Sequence, residues 1–365
     1  MAPTYHVRLK DADGTMVAVL DQWISLAYEK RVNAPGGYTL VMSGSDSRTA
    51  LFELDGQVEV WRADLAAGIG WYLDFEAFHR AEAHEYLANG EYRYTSQGRG
   101  YADLLARRII AASALSAGAT KTGVAETVIK AFVNEQAGPG AGLRACTGLS
   151  ISLSLATGST ITMSREYRNL LEVCQEIANA GRGDFAVVGN GVAGYQFRWY
   201  SGQLGTDRTV GNAAGNPPVV FSPTLGNMRT PRYALNRADE VNVVYVGGQG
   251  VAGARTIAIR TDPAAIGAST WNRREVFRNA SNEAAVGGLN SKGDVFLDSQ
   301  QAREEFTFVV VQVPSCLYGR EYNVGDLVTV RFGSVERDKK VISAQIGVAA
   351  SSGQIETIGV ELADV

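Results

Sequence analysis

The chain has 365 residues, of which 45% are hydrophobic and 20% are charged. These values are typical of folded globular proteins and exclude an intrinsically disordered chain, and the length allows two to four domains. The formal net charge of −4 excludes the basic balance that nucleic-acid-binding domains usually show.

Residues 1–100 are predicted to form β-strands joined by hairpins. Asp13-Gly14 and Asn89-Gly90 are dipeptides typical of tight turns, and Pro35-Gly36-Gly37 separates another pair of alternating segments. Several short strands at this spacing predict an antiparallel barrel or sandwich.

The pattern changes to helical spacing after residue 100. Apolar residues from Tyr101 to Ala112 predict one amphipathic helix. Thr122 is expected to cap a second helix, and Ser164 a third that ends near Gly181.

The same region also contains strand signals. A short strand is expected around Leu149 to Leu155, and Asn190-Gly191 lies between two alternating segments that predict a hairpin. Residues 101–225 are therefore interpreted as an α/β or α+β middle region, which ends in the loop Asn212 to Pro218.

Residues 226–365 are again predicted to be β, with a polar, partly helical insertion at about 263–305. The most informative stretch is YGREYNVGDLVTVRF, from Tyr318 to Phe332. Gly325-Asp326 is a turn dipeptide, and the residues after it alternate apolar and polar with a period of two. This pattern is typical of the start of a strand.

Motifs that could indicate chemistry are weak. The run Gly248–Gly253 matches GxGxxG, but a strand-like segment follows where a dinucleotide site needs a helix. Arg182-Gly183-Asp184 spells a cell-adhesion tripeptide but lies just past a predicted helix end. We interpret the first as a hairpin tip and the second as a chain reversal.

No residue pattern identifies a catalytic, cofactor or metal site. His79 and His84 lack zinc-binding spacing, and acidic pairs such as Asp74/Glu76 and Glu304/Glu305 match glycosidase chemistry only by residue type. The three cysteines are far apart, as is usual for buried free thiols. We therefore assign no catalytic residue, no cofactor and no metal, and predict a protein that is not an enzyme.

Aromatic residues cluster in the first β region. Trp61, Trp71, Tyr72, Phe75 and Phe78 could form a carbohydrate-binding platform. Core packing together with a subunit interface is the favoured interpretation, because aromatic residues are enriched in both.

The order of these features resembles the tail-tip hub family of long-tailed phages, the siphophage relatives of the trimeric baseplate hub in contractile tails. The resemblance spans nearly the whole chain and is most specific in three segments, VVFSPTLGNMRTPRY, WNRREVFRNAS and YGREYNVGDLVTVRF. The structural residues that it singles out are Gly226, Asn227, Arg273, Arg274, Glu275, Tyr322, Gly325 and Asp326.

The resemblance implies a fold that is mainly β with an α+β middle region. Two tail-tube-like antiparallel β-barrel domains, residues 1–100 and 226–365, would flank an α/β lid region of residues 101–225. It also implies a homotrimeric ring that joins a hexameric tail tube to a central fibre or receptor-binding protein and forms part of the DNA conduit. The implied neighbours are the distal tail protein, the tail tube protein and the tape-measure protein.

The expected location is the tail tip of a virion, after synthesis in the host cytoplasm. No apolar leader follows the N-terminus, and no run approaches the 18 apolar residues of a membrane span. Two alternatives stay open: a tail-associated peptidoglycan-degrading enzyme, and a carbohydrate-binding receptor module that uses Trp71. Passing DNA would not be bound specifically.

Overall fold

A computed structural model describes residues 3–113, 116–191, 194–349 and 355–365. The chain divides into two units, one formed by Met1–Arg229 with Val309–Val365 and the other by Thr230–Phe308. The second unit is therefore an insertion into the first, and it contains the insertion predicted at about 263–305.

Strands dominate the chain, and the helices lie in two regions, residues 103–181 and 263–299. The first strands are β1 (Thr4–Lys10), β2 (Met16–Leu20), β3 (Ser25–Arg31), β4 (Gly37–Ser43), β5 (Gln57–Asp64), β6 (Ile69–Tyr86) and β7 (Tyr92–Gly100). The middle elements are α1 (Asp103–Ala106), β8 (Thr120–Val124), α2 (Ala125–Gln136), β9 (Leu149–Ile151), β10 (Thr160–Ser164), α3 (Leu170–Gly181), β11 (Gly183–Gly189), β12 (Tyr195–Ser201), β13 (Asp207–Arg208) and β14 (Val220–Phe221). The remaining elements are β15 (Met228–Asn236), β16 (Val243–Gly247), β17 (Ile257–Thr261), α4 (Pro263–Gly267), β18 (Glu275–Asn279), α5 (Val286–Ser299), β19 (Arg303–Val310), β20 (Leu327–Phe332), β21 (Val335–Ala349) and β22 (Ile355–Asp364).

The main sheet joins strands from both ends of the chain. Among the described residues its order is β13-β20-β21-β3-β4-β7-β6-β5-β1-β2, with β14 also paired to β20 and β22 to β21. The predicted hairpins β1–β2, β3–β4 and β6–β7 are confirmed. Gly14 and Gly90 adopt the positive φ that their turns require.

The two tail-tube-like β-barrel domains predicted at residues 1–100 and 226–365 are not confirmed, since no closed barrel is detected among the described strands. Strands of the first hundred residues and C-terminal strands instead belong to one sheet, because β3 pairs with β21. The reason is the length of β21. Its first part pairs with β20, its second part pairs with β3, and β22 pairs along its opposite edge.

The middle helices are shorter and start later than predicted. The predicted helix from Tyr101 to Ala112 is only α1, because the Ile110 amide donates to the carbonyl of Arg168, 2.9 Å away. Thr122 lies in β8 and hydrogen-bonds Thr162 across the β8–β10 ladder, so it caps no helix. Ser164 ends β10, and Asn169 caps α3 instead.

These middle elements share one core. α2 packs on α3, and the buried faces of both contact the hairpin β11–β12. Asn190-Gly191 follows β11, and Gly191 has φ of 78°, which fits the predicted hairpin turn. Residues buried in this core include Ile129, Phe132, Val173, Ile177, Phe185 and Phe197.

The second unit is a small sheet covered by a helix. β16 is central, paired antiparallel with β17 and parallel with β18, and α5 packs on β16 and β17. Its core is formed by Val244, Val246, Ala258, Leu289 and Leu297. The partly helical insertion predicted at about 263–305 contains α4 and α5.

Candidate functional site

The turn at Gly325-Asp326 brings three chain segments together. Gly325 has φ of 97°, its amide donates to the carbonyl of Val341 at 2.8 Å, and its carbonyl accepts from Gly205 at 3.2 Å. A β-carbon built on Gly325 would lie 2.7 Å from the Gly205 nitrogen. Glycine is therefore required both by the backbone angle and by the close approach of residue 205.

Asp326 fixes this turn through its carboxylate. One oxygen accepts from the Thr206 amide at 2.6 Å, and the other accepts from the Asn323 amide at 2.8 Å and from Arg208 at 3.3 Å. The side chain is buried. Residues 205–208 and 323–326 form what we call the Asp326 junction, which places β13 beside the first residues of β20.

Tyr322 is fully buried. Its ring meets Phe221 edge to face with centroids 5.2 Å apart, and its hydroxyl accepts from Gln312 at 2.7 Å. Tyr322 thus packs the turn against β14, which carries Phe221.

Gly226 and Asn227 form a second hydrogen-bonded turn, which lies close to β14. Gly226 has φ of 73° at the end of a 3₁₀ turn. The Asn227 side chain accepts from the Ser222 amide at 2.9 Å and donates to the carbonyl of Val220 at 2.8 Å. Its own carbonyl accepts from Val311 at 3.0 Å, so these residues hold the backbone where the chain returns to the first unit.

Arg273, Arg274 and Glu275 belong to the second unit. Arg273 and Glu275 form an exposed ion pair of 2.6 Å. The Arg274 amide donates to the Asn242 side chain at 2.8 Å, and its side chain donates to the carbonyl of Ala238. These three residues lie at the start of β18, and the bond from Arg274 to Asn242 connects β18 to the start of β16.

A buried polar cluster that the sequence did not indicate lies on the main sheet. Arg62 of β5 binds Glu356 of β22 through two parallel hydrogen bonds of 2.7 and 3.0 Å. It also donates to the Tyr72 hydroxyl at 3.2 Å and to the carbonyl of Tyr318 at 3.3 Å. We call this cluster the Arg62 junction; Tyr5 completes it by donating to Glu356.

Asp74 connects the Arg62 junction to neighbouring strands. It accepts from the Tyr28 hydroxyl at 2.6 Å, from Lys30 at 2.6 Å and from the Tyr318 hydroxyl at 3.2 Å. Burial raises the pKa of Tyr28 and Tyr318 far above the usual range, and the Asp74 charge raises each pKa further. Both phenols therefore stay protonated and donate to the carboxylate.

The electrostatics of the Arg62 junction keep Arg62 and Glu356 charged and paired. Burial alone would lower the pKa of Arg62, but its hydrogen bonds to Glu356 raise the pKa above the usual value. The carboxylates of both junctions accept from cations, amides and hydroxyls. This arrangement is suited to holding backbone segments in register.

Two motifs have structural roles. Asp184 of the Arg-Gly-Asp tripeptide is buried and accepts from Asn33 and Leu204, at 2.9 and 2.7 Å, while Lys340 lies 2.5 Å away. It is therefore not accessible to a receptor. The run Gly248–Gly253 follows β16 and precedes β17, which pair antiparallel, so the hairpin-tip interpretation is confirmed.

The aromatic residues of the first β region do not form one platform. Phe75 and Phe78 are buried, and Tyr72 hydrogen-bonds Arg62. Trp71 is 46% exposed and contacts His6, with centroids 4.4 Å apart. The described residues contain no group of three or more His, Cys, Asp or Glu side chains placed to hold a metal ion. Within the same residues, no helix has the length and apolar character needed to cross a membrane.

The fold that carries these junctions is that of phage tail proteins. The chain is similar to the 43 kDa tail protein of prophage MuSo2 from Shewanella oneidensis, with a TM-score of 0.57 and 13% identity over 98% of each chain. It is also similar to prophage tail protein gp18 from Listeria monocytogenes EGD-e, with a TM-score of 0.56 and 10% identity over 98% of this chain and 93% of that one. A tail protein from Neisseria meningitidis MC58 gives a TM-score of 0.54 and 11% identity over 98% and 97%.

Residues 6–350 match the family model described as Siphovirus ReqiPepy6 Gp37-like protein, and the chain belongs to this family. This is a family of siphovirus tail proteins, and the resemblance inferred from the residues is confirmed at that level. No curated protein matches the chain in sequence.

Sequence patterns could not indicate the Arg62 junction. β5 is buried on both faces, so alternation does not distinguish Arg62 from its neighbours. Its partner Glu356 lies 294 residues away. Asp74 stood out in the sequence only as half of the acidic pair Asp74/Glu76, in a strand that also carries Glu82 and Glu85.

Proposed function

We propose that this chain is the structural hub of a phage tail tip. In this proposal three copies form a ring at the distal end of the tail tube. The ring joins the hexameric tube to the central fibre or receptor-binding protein and surrounds part of the path that DNA takes on ejection.

The observation that carries the proposal is the agreement of family and fold over nearly the whole chain. The family model matches residues 6–350, and tail-protein structures are similar over 98% of the chain. The chain is thus built from the same architecture as tail proteins from end to end, which supports an assembly role for the whole chain.

Open sheet edges support assembly with neighbours. In the described part of the main sheet, β2 pairs only with β1 and β22 only with β21. β2 also exposes Met16, Val17 and Val19. An exposed apolar edge strand favours pairing with another chain, and a ring is one way to cover it.

In the proposed hub the chain has three functional regions. Residues 1–100 and 226–365 supply the portions that face the tube, and residues 101–225 form a lid that narrows the lumen. The distal tail protein, tail tube protein and tape-measure protein are the proposed neighbours. A net charge of −4 suits a conduit, because phosphate contacts by a basic wall would retard DNA.

A non-enzymatic role is part of the proposal. Its support is that Asp74, Asp184, Asp326 and Glu356 each accept hydrogen bonds from fixed partners, so these buried carboxylates serve packing. A general acid or base needs a carboxylate that can reach a substrate.

Native mass measurement tests the proposal. The purified chain, alone and mixed with its tail tube and distal tail proteins, is expected to give a species of three times the 39.0 kDa chain mass. A strict monomer in the presence of those partners would contradict it. Zymography on peptidoglycan with the same sample is expected to show no lysis zone, and a lysis zone that follows the purified chain would overturn the non-enzymatic role.

A further inference from the structure

The middle region contains a long segment without ionised side chains. Residues 145–164 include no Lys, Arg, Asp or Glu, although 20% of the chain is charged. Arg144 and Arg165 bound the segment. We call it the neutral segment; it contains β9, β10 and the loop between them.

The loop of the neutral segment exposes two leucines. The alternation LSISLSL begins in β9, but β9 ends at Ile151, and the alternation continues through Leu155 outside any strand. Leu153 is 86% exposed and Leu155 is 75% exposed. Their neighbours Ser154, Ser159, Thr160 and Thr162 are exposed too, so the surface consists of leucines among hydroxyl groups.

A buried ion pair fixes the loop in this exposed position. Glu126 and Lys130 of α2 are both buried and lie 2.6 Å apart. Glu126 accepts from the amides of Leu155 and Thr157 at 3.1 and 2.9 Å, and Lys130 donates to the carbonyl of Leu153 at 2.8 Å. The hydrogen bonds from Glu126 and Lys130 fix the backbone of the loop while both leucine side chains stay exposed. The conformation of the loop is therefore not stabilised by burial of these leucines.

The helix itself adds further bonds to the loop. The amide of Ala125 donates to the carbonyl of Ser159 at 2.9 Å, and the amide of Glu126 donates to that of Thr157 at 3.2 Å. Ala156 adopts φ of 55°, an unfavourable angle for a residue with a β-carbon. The loop is therefore preorganised, which lowers the entropy cost of binding through it.

We propose that the loop of the neutral segment lies at the symmetry axis of the assembly, where Leu153 and Leu155 pack against the same residues of two further copies of this chain. At a rotation axis a residue faces its own copies, so a charge there meets its own sign and repels. A charge-free surface with fixed apolar side chains satisfies that condition. Arg182 is exposed and follows Gly181, whose carbonyl accepts from the Ser159 amide, so this charge lies beside the loop and must stay off the axis.

This inference rests on the proposed ring and identifies the part of each copy that meets at its centre. Burial of the leucines between copies would lower the protein concentration needed for half-assembly. Because no charges take part, assembly through this surface should depend little on salt.

Cysteine cross-linking tests the position of the loop. The Leu155→Cys variant, treated with a short bismaleimide, is expected to give covalent dimers at concentrations where the ring forms, because the single accessible thiol of each copy can join one neighbour. The control Leu65→Cys places a thiol on another exposed leucine, 71% exposed, and is expected to stay monomeric on denaturing gels. The wild-type chain, whose Cys146, Cys174 and Cys316 are buried, corrects for background.

A second experiment measures the energetic role of the leucines. The double variant Leu153→Ser/Leu155→Ser is expected to need at least about tenfold more protein for half-assembly, with unchanged melting of the monomer, because both side chains are exposed in the single chain. The control Leu65→Ser/Leu143→Ser removes two other exposed leucines and should assemble as the wild type does.

The outcomes separate this inference from the proposed function. A ring of three copies in which the Leu155→Cys variant gives no cross-links, or whose assembly is unaffected by the double variant, overturns the inference and leaves the hub intact. A chain that stays monomeric beside its tail partners overturns both.

Discussion

At the scale of single residues, Gly325 has the strictest requirement on its side chain. Its φ of 97° is unfavourable for other residues, and Leu204 and Gly205 lie within 3 Å of any added β-carbon. Gly333, in the turn between β20 and β21, has φ of 60° but open space around it. Comparing substitutions at Gly325 and Gly333 therefore separates the energetic cost of backbone strain from that of steric overlap.

We predict that Gly325→Val lowers the free energy of unfolding by roughly 4 kcal/mol, because strain and overlap both act. Gly333→Val, which meets only the backbone strain, should cost about 1–2 kcal/mol. Urea unfolding of both variants measures the difference. Equal losses in the two variants would show that the approach of residue 205 is unimportant.

Glu126 gives a prediction on pH dependence. Burial alone would raise the pKa of its carboxyl, but hydrogen bonds from Lys130, Thr157 and Leu155 outweigh burial and lower the pKa to about 2. A lowered pKa in the folded state means that the stabilisation is present above the unfolded pKa, near 4.5, and is lost as pH falls towards 2.

Glu126→Gln should therefore lower the free energy of unfolding at pH 7 by roughly 3 kcal/mol, and the gap to the wild type should narrow between pH 4.5 and pH 3. Denaturant unfolding at each pH measures the gap. The control is Glu172→Gln, since Glu172 forms an exposed pair with Arg168 and should change stability by less than about 1 kcal/mol. A gap that is constant with pH would rule out the ionised carboxylate as the cause.

At the scale of elements, the Arg62 junction connects strands that are far apart in the sequence. Arg62 lies on β5 and Glu356 on β22, and β5 is several strands from β22 along the sheet path. The Tyr318 carbonyl and the Tyr72 hydroxyl accept from the same guanidinium. This pair therefore fixes β22 across the sheet in addition to its ladder with β21.

A double-mutant cycle tests the coupling between these strands. Arg62→Met and Glu356→Gln should each cost roughly 3 kcal/mol, because each leaves a buried charge without its partner. The double variant should cost at least about 1 kcal/mol less than the sum. The exposed pair Arg232–Glu305 is the control and should show coupling below about 1 kcal/mol. Additive losses at the buried pair would mean that the strands are held by their ladders alone.

Elements with local turn signals were predictable, and elements that depend on distant partners were not. The hairpins at Gly14, Gly90 and Gly191 follow from short-range turn chemistry. The helix expected after Tyr101 ends early because residues 108–110 bond the segment 168–170. Apolar periodicity cannot show such a competing partner.

The candidate site was also predictable only where its residues lie in a local turn. Gly325 and Asp326 follow from the turn dipeptide, and their contacts are those of a strand start. Arg62, Asp74 and Glu356 were missed because their partners lie up to 294 residues away. Local spacing carries no information about pairs at that distance.

At the scale of the whole molecule, the main sheet unites the two ends of the chain. Strands from residues 4–100 and 327–364 pair side by side, and Thr230–Phe308 is inserted between β14 and β20 as a unit with its own core. Separate barrels were expected because the sequence contains two β-rich regions. The length of β21 joins them instead.

The proposed hub predicts a specific place and copy number in the particle. Electron microscopy of assembled tails that carry this chain measures both directly. The account predicts three copies in a three-fold ring that closes the distal end of the tube. Six copies along the tube shaft, or single copies attached to the outer wall, would contradict it.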